Sequence, residues 1–368
     1  MRRWVKVSLA SLSSLFGMVL LAGATVCVTS GCSTLGYYGQ SVGGHLSMLS
    51  SARPVSDWLA DADTPAPLRE RLALADRLRN FAVTDLHLPD NASYRRFADL
   101  KRPAAVWNVV AAPELSLTLK TWCFPVVGCV GYRGYFERPS AEALATQLRA
   151  EGLEVSVYGV PAYSTLGKLP GGFFSDPLLS TFIRYPEADL ARLIFHELAH
   201  QVAFAEGDTS FNESFATAVE RIGGRRWLAV HPNLDAAAET ARSDARRDAF
   251  RALTLKTRSE LDAVYRDPAS SDDDKRRAKA EIMARMRAEH AALKAGPWQG
   301  FTGYDGWFER ANNASLGVLG AYDDLVPRFE ALFVAQGSDF PRFYAEVKRL
   351  AGLPREERRA ALMAVGGP

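Results

Sequence analysis

Residues 188–203 read ADLARLIFHELAHQVA. A helix over this stretch is apolar almost all round, because Ala191, Leu193, Ile194, Phe195, Leu198, Ala199 and Val202 cover most of its surface. Such a helix belongs in the middle of a core. It nevertheless carries His196, Glu197 and His200, and polar side chains taken out of water without partners are costly. The chain must therefore fold around a helix whose polar groups have something to bind.

Four residues advance about 400° on an α-helix, so His196 and His200 share a face, ~6 Å apart along the axis. Both imidazoles can reach one ion at the ~2.0–2.1 Å that zinc requires. Glu197 lies about 100° further round. It cannot easily share that ion, but it can reach a water bound to it, take the proton and later return it to a leaving amine. This is the chemistry of an HExxH motif. The remaining histidines, His45, His87, His231 and His290, show no ligand spacing.

Zinc needs a third protein ligand and keeps a fourth place for water. On a helix continued past His200, Glu206 points away from it. Asp208 sits in a GDTS turn and can fold back. Glu213 follows in FNESFA, where a second helix should begin, and Glu220 lies seven residues later on the same face. Those seven residues span ~10 Å, so one of the two can bind the ion but not both.

The pair His196-Glu197-Leu198-Ala199-His200 and Asn212-Glu213-Ser214-Phe215-Ala216 resembles the gluzincin metallopeptidases, whose second motif is commonly Asn-Glu-x-Phe-Ala. The resemblance implies Glu213 as the third ligand. The spacing departs from it: 12 residues separate His200 from Glu213, fewer than in the best-known gluzincins, and by count Glu220 takes the thermolysin-like position. A short turn between antiparallel helices still brings Glu213 over the first. A metzincin pattern is excluded, since Ala203 and Glu206 stand where it needs glycine and histidine.

More narrowly, GCSTLGYYGQSVGGHLSML, WCFPVVGCVGYRGYF, HELAHQ, FNESFATAVE and NNASLGVLGAYDDLVPRF are similar to a family of bacterial lipoproteins described as aminopeptidases. The gluzincin resemblance implies a peptide substrate and a tyrosine or histidine donor at the developing oxyanion. Tyr322 is the candidate donor, and Tyr304 the second. It also implies an edge segment that pairs with substrate backbone, for which Tyr163 and Ser164 are the candidates. Asn312 and Asn313 are either site groups or helix caps. An aminopeptidase must hold a free α-amine, and Glu206, Asp208 or Glu220 can supply an acid for it.

The N-terminus begins MRRWVKVSLASLSSLFGMVLLAGATVCVTSGCS. Basic residues, an apolar run and small residues before a cysteine are the layout of an export signal. The Gly31-Cys32 junction resembles a lipoprotein cleavage site, which makes Cys32 the lipidated mature N-terminus and Ser33 an outer-membrane sorting residue. Thr29 departs from that pattern, and an uncleaved anchor is the alternative. Either places the body in the cell envelope, facing the periplasm. Of the four cysteines, Cys123 and Cys129 then sit in an oxidising compartment, where a disulfide can persist; free thiols or a metal pair are the alternatives. Residues 1–31 hold three of the 44 basic residues (Arg2, Arg3, Lys6) and no acid, leaving 41 basic against 42 acidic. A balance that near neutral gives no reason to expect nucleic acid as a partner.

The expected organisation is a signal (1–31), a tether that becomes a helix near Gly43–Leu49 (32–60), a mixed α/β part (61–188) and a helical zinc-site part (189–368). In the mixed α/β part, apolar spacing marks a helix over Pro67–Phe81, and strands are expected at Ala105–Ala111, Leu115–Leu119, Val130–Phe136 and Val155–Val160. In the helical part, Asp189 opens the histidine helix. Residues 234–266 and 272–294 are densely charged around a sparse apolar stripe and predict a solvated helical hairpin that projects from the body. Helices are expected at 307–336, 339–351 and 355–364. The fold class is α+β: a small mixed sheet packed on a helical, zincin-like half. The expected activity is zinc-dependent peptide hydrolysis, with an endopeptidase or a non-catalytic zinc-stabilised scaffold as the rival readings.

Overall fold

The computed structural model describes residues 32–124, 128–162, 174–232, 234–319 and 325–365. Tyr163, Ser164 and Tyr322 lie outside these residues, as does the signal segment. The chain starts with α1 (Cys32–Ser50), β1 (Arg53–Pro54), α2 (Val55–Ala60), α3 (Ala66–Thr84) and β2 (Arg96–Ala98). Next come β3 (Val106–Pro113), the hairpin β4 (Trp122–Phe124) and β5 (Gly128–Val130), then β6 (Arg133–Tyr135), α4 (Arg138–Ala150) and β7 (Leu153–Val160). After β8 (Leu178–Leu179) all described elements are helical: α5 (Glu187–Ala199), α6 (Thr209–Val230), α7 (Leu234–Arg266), α8 (Asp272–Ala295), α9 (Asp305–Arg310), α10 (Asn313–Leu319), α11 (Val326–Ala335), α12 (Phe340–Ala351) and α13 (Arg355–Met363). The class is α+β. No described helix is long and apolar enough to cross a membrane.

One small sheet runs β1–β2–β8, and a second runs β6–β3–β7 with β3 antiparallel to both neighbours. The third is the β4–β5 hairpin, where Cys123 pairs with Cys129 across the strands and the two are disulfide-bonded. Val109 and Ala111 of β3 face α4 through Ala141, Ala145 and Leu148, while Val110 and Ala112 pack on Ala314 of α10. Alternate residues of one strand thus bury both faces of this sheet, as the period of two requires.

Helix α5 runs through the largest core, as its composition demands. Leu190, Ile194, Phe195 and Leu198 are fully buried, against Phe211, Phe215 and Val219 of α6 and Phe81 of α3. Burying each large side chain contributes about 1.5–3 kcal/mol. Glycine is required where α6 crosses α5: a Cβ on Gly223 meets Phe195 Cδ2 at 2.9 Å and Leu86 Cδ1 at 2.7 Å.

Several expectations need correction. Helix α1 starts at Cys32, so residues 32–42 are no tether. Gly36, Gly39 and Gly43 weaken its propensity, but packing compensates: Gln40 accepts from Phe136 N at 3.1 Å, and Gly44 sits so close to the Phe136 ring that a Cβ there is excluded. Leu115–Leu119 is no strand. Pro113 ends β3, and Leu119 instead fills the space over Gly131 and Gly317, with one return hydrogen bond from Lys120 N to Ala111 O at 2.8 Å. Gly131-Tyr132 divides the expected Val130–Phe136 strand into β5 and β6, and 307–336 is no single helix but is broken between Arg310 and Asn313 and again before Val326.

The charged hairpin does not project freely. Its stripe (Leu253, Leu261, Ile282, Met283, Met286) builds a second core with Trp298, Phe308 and Leu316. Polar contacts dock it on the sheet. Lys279 pairs with Glu154, Arg276 Nε bonds Glu114 Oε2 at 3.0 Å, and Tyr265 Oη donates to Asn313 Oδ1 at 2.9 Å. Asn313 in turn donates to Glu114 O at 2.7 Å and Pro113 O at 3.1 Å. At the other end Arg192 of α5 holds Asp244 of α7, and Arg247 reaches Asp189 at 2.9 Å. Much of what reads as a solvated face is therefore an interface.

Candidate active site

Helix α5 stops at Ala199, with His200 as its cap. Gln201 N and Val202 N close a tight turn on Leu198 O and Ala199 O, and Gly207 takes φ +71°. The chain then reverses at once into α6. Asn212 fixes this reversal. Its Oδ1 accepts from Ala205 N at 2.7 Å, and its Nδ2 donates to Ala205 O at 2.8 Å. Asp208 caps α6 by accepting from Phe211 N at 3.2 Å and pairs with Arg358 at 2.6 Å. The short reversal brings the first turns of α6 over the end of α5, which puts Glu213 opposite the two histidines.

His196 Nε2 and His200 Nε2 face one another at 3.2 Å. Glu213 Oε2 lies 3.3 Å from the first, and Oε1 lies 3.7 Å from the second. Three donor atoms tetrahedrally placed about one ion, with bonds of ~2.0–2.1 Å, stand about 3.3 Å apart. The donor set therefore fits a metal ion, and two imidazoles with one carboxylate are ligands compatible with zinc. Glu220 is bound to the far side of the same ring: His196 Nδ1 and Glu220 Oε2 are 2.9 Å apart. A carboxylate on that nitrogen fixes the ring and leaves Nε2 facing His200 and Glu213.

The electrostatics agree. Burial disfavours a charged His196, but Glu213 and Glu220 outweigh it and hold its pKa well above the usual histidine value. Burial, helped by His196, pushes His200 down to about 4, so its lone pair is free at neutral pH. Burial alone raises Glu213, yet the hydrogen bond from His196 and the charges of both histidines lower it overall. The site thus draws a positive charge between its carboxylates. Burial pushes Glu197 up to about 7, against the pull of His196 and with the help of Glu213, Asp176 and Glu220. An acid poised near neutrality can both take and give a proton.

A cleft of about 530 Å³ opens beside these residues, lined by Tyr185, Asp189, His196, Glu197, Glu220 and Arg247. Of the other expected groups, Asp208 is committed to Arg358 and its cap, Glu206 lies beyond the end of α5 and is exposed, and Tyr304 is stacked on Phe250 at 4.5 Å in the hairpin core. Asn312 and Asn313 hold backbone: Asn312 Nδ2 donates to Val155 O at 3.1 Å. Tyr132 was missed. Crowding around its phenol and the charge of Glu213 raise its pKa, although the residue as a whole keeps 45% of its surface exposed. The GYRGY stretch that follows Cys129 was its only signal. Tyr94, also missed, is buried near Glu197 and has no signal in the sequence pattern.

A buried HExxH helix, a carboxylate from the next helix and an adjoining cleft make a group that could hold a metal ion on an α+β body. A family model described as "Putative aminopeptidase" matches residues 36–362, nearly the whole chain, and the protein belongs to that family. Membership supports a peptidase acting on peptides. No match was found among curated proteins or among solved structures.

Proposed function

We propose that this protein is a zinc-dependent aminopeptidase. The observation that carries the reading is the meeting of His196 Nε2, His200 Nε2 and a Glu213 carboxylate oxygen within 4.8 Å of one another, one residue from Glu197. Bound by these three, zinc supplies Lewis acidity that activates water near neutral pH and polarises a carbonyl. Glu197 accepts a proton from the attacking water at its carboxylate. As the C–N bond breaks, it passes that proton to the nitrogen of the leaving amine. Glu220 keeps the His196 ring in register through Nδ1, and the cleft beside Glu197 admits the peptide. Tyr322 remains the proposed oxyanion donor, and Tyr163 with Ser164 the proposed backbone-pairing segment. Further support for a catalytic reading is the raised Glu197, which a merely structural metal site does not require.

The proposed location is the cell envelope. Residues 1–31 serve as an export signal, and lipid on Cys32 ties the body to the outer membrane, facing the periplasm. The Cys123–Cys129 disulfide suits an oxidising compartment.

The test is metal analysis of the purified protein together with hydrolysis of peptides bearing free or blocked N-termini. The expected result is about one zinc per chain, chelator-sensitive hydrolysis, and a preference for free N-termini. A protein that holds no metal and cleaves neither peptide sinks the reading. Equal cleavage of blocked peptides removes the aminopeptidase label and leaves an endopeptidase.

A further inference from the structure

Tyr94 is 2% exposed, and its hydroxyl has no hydrogen-bond partner among the described residues. A buried phenol ordinarily finds an acceptor. Its backbone is also left-handed, at φ +62°, which a bulky side chain rarely adopts. The surroundings enforce this conformation. Tyr94 N donates to Asp176 O at 2.7 Å. The buried Arg79 donates from Nε to Ser93 O at 2.9 Å and from Nη2 to Pro89 O at 2.7 Å and Asn91 O at 3.1 Å. Gln201, the residue after His200, donates to Ser93 Oγ at 3.2 Å and accepts from Asn91 Nδ2 at 2.6 Å. The loop that carries Tyr94 is thereby fastened to the end of α5.

Strained backbone and unpaired polar groups persist only where their neighbours over-determine them, and they gather at functional sites. Glu197 is the matching acceptor. It lines the cleft and is influenced by burial and by charges, with no hydrogen bond to it among the described residues. Among the charges acting on Tyr94, that of Glu197 is the largest. A buried donor without an acceptor and a cleft-lining carboxylate thus lie within electrostatic reach of each other, one on a fastened loop and one on the site helix.

We propose that Tyr94 is a positioning residue: its hydroxyl donates to the Glu197 carboxylate when that side chain turns toward it, holding one oxygen so that the other is aimed at the attacking water. The proposal rests on the peptidase reading and extends it to a residue about 100 positions upstream of the HExxH helix. Tyr94 does not touch substrate; it acts through Glu197.

The test is Tyr94→Phe in the full chain, with kcat, KM, zinc content and Tm measured beside the parent. Removing an unpaired hydroxyl should leave Tm unchanged or raised and zinc content unchanged. The kcat should fall about 10–100-fold, as for other groups that orient a site residue, with KM unchanged. A variant with the parent's kcat overturns the proposal while leaving the peptidase reading intact. So does a variant that loses Tm or zinc in step with activity, since that marks a packing role. A parent without metal-dependent hydrolysis overturns both.

Discussion

Glu220 Oε2 and His196 Nδ1 stand 2.9 Å apart, on the side of the ring that faces away from Glu213. On the proposed reading Glu220 orients a ligand rather than serving as one, although its spacing from His200 alone suits it to bind the ion. The two glutamates should be separable. Glu213→Ala removes a donor and should abolish tight zinc binding. Glu220→Gln keeps the shape and should weaken binding about 10–100-fold. Zinc titration by competition with a chelating dye measures both, and equal losses contradict the assignment.

Among the described residues Glu197 makes no hydrogen bond or ion pair with His196 or His200, so Glu197→Gln should leave zinc content intact. If it moves the proton, kcat should fall about 10²–10⁴-fold. Peptide hydrolysis with matched metal analysis decides it. A variant as active as its parent leaves a zinc-stabilised scaffold as the surviving reading.

Metal binding should strengthen with pH. Without the ion, His196 holds a proton well above the usual histidine range because Glu213 and Glu220 flank it. The ion must displace that proton, so affinity rises up to about tenfold per pH unit while one proton is released. His200, held down at about 4, adds nothing to this slope above pH 5. The rate has its own acid limb. Glu197 titrates at about 7 in the metal-free site, and a nearby cation lowers that value. Activity at saturating zinc should therefore be lost as pH falls through a midpoint below 7, when the carboxylate protonates. A pH–rate profile flat from pH 5 to 7 contradicts Glu197 as the base.

Asn212 joins both backbone groups of Ala205, at 2.7 and 2.8 Å, and is 3% exposed. Asn212→Ala leaves the buried Ala205 N–H unpaired and Ala205 O with Asp208 N alone, at 3.3 Å, at a cost of about 1–3 kcal/mol. It should also loosen the turn that carries Glu213. Thermal unfolding and zinc affinity should fall together in this variant. Normal affinity in a destabilised variant means the turn does not position the ligand.

The histidine pair and Glu197 are legible in the sequence because helical period and apolar flanks are local facts. Glu213 is legible through its Asn-Glu neighbourhood, and the structure gives Asn212 its own job at the turn. What lies across the chain is not legible. Lys279 and Arg276 meet Glu154 and Glu114, more than 100 residues away, so a charge run that reads as solvated is half an interface. Tyr94 meets the site through Arg79 and Gln201 contacts that no spacing rule anticipates. The break between Arg310 and Asn313 follows from side chains of Asn312 and Asn313 that hold strand backbone, a demand set by β7 and the end of β3 rather than by their own neighbours.

Because α5 ends at His200, the candidate ligand group of His196, His200 and Glu213 lies at the C-terminal end of that helix. That end carries roughly half a negative charge, which favours a cation whatever side chains surround it. If the proposed zinc binds here, part of its attraction belongs to the backbone, and deleting one ligand does not remove that part. A chain stripped of Glu213 should still gather divalent ions loosely at this spot, and hold them more weakly as salt screens the field.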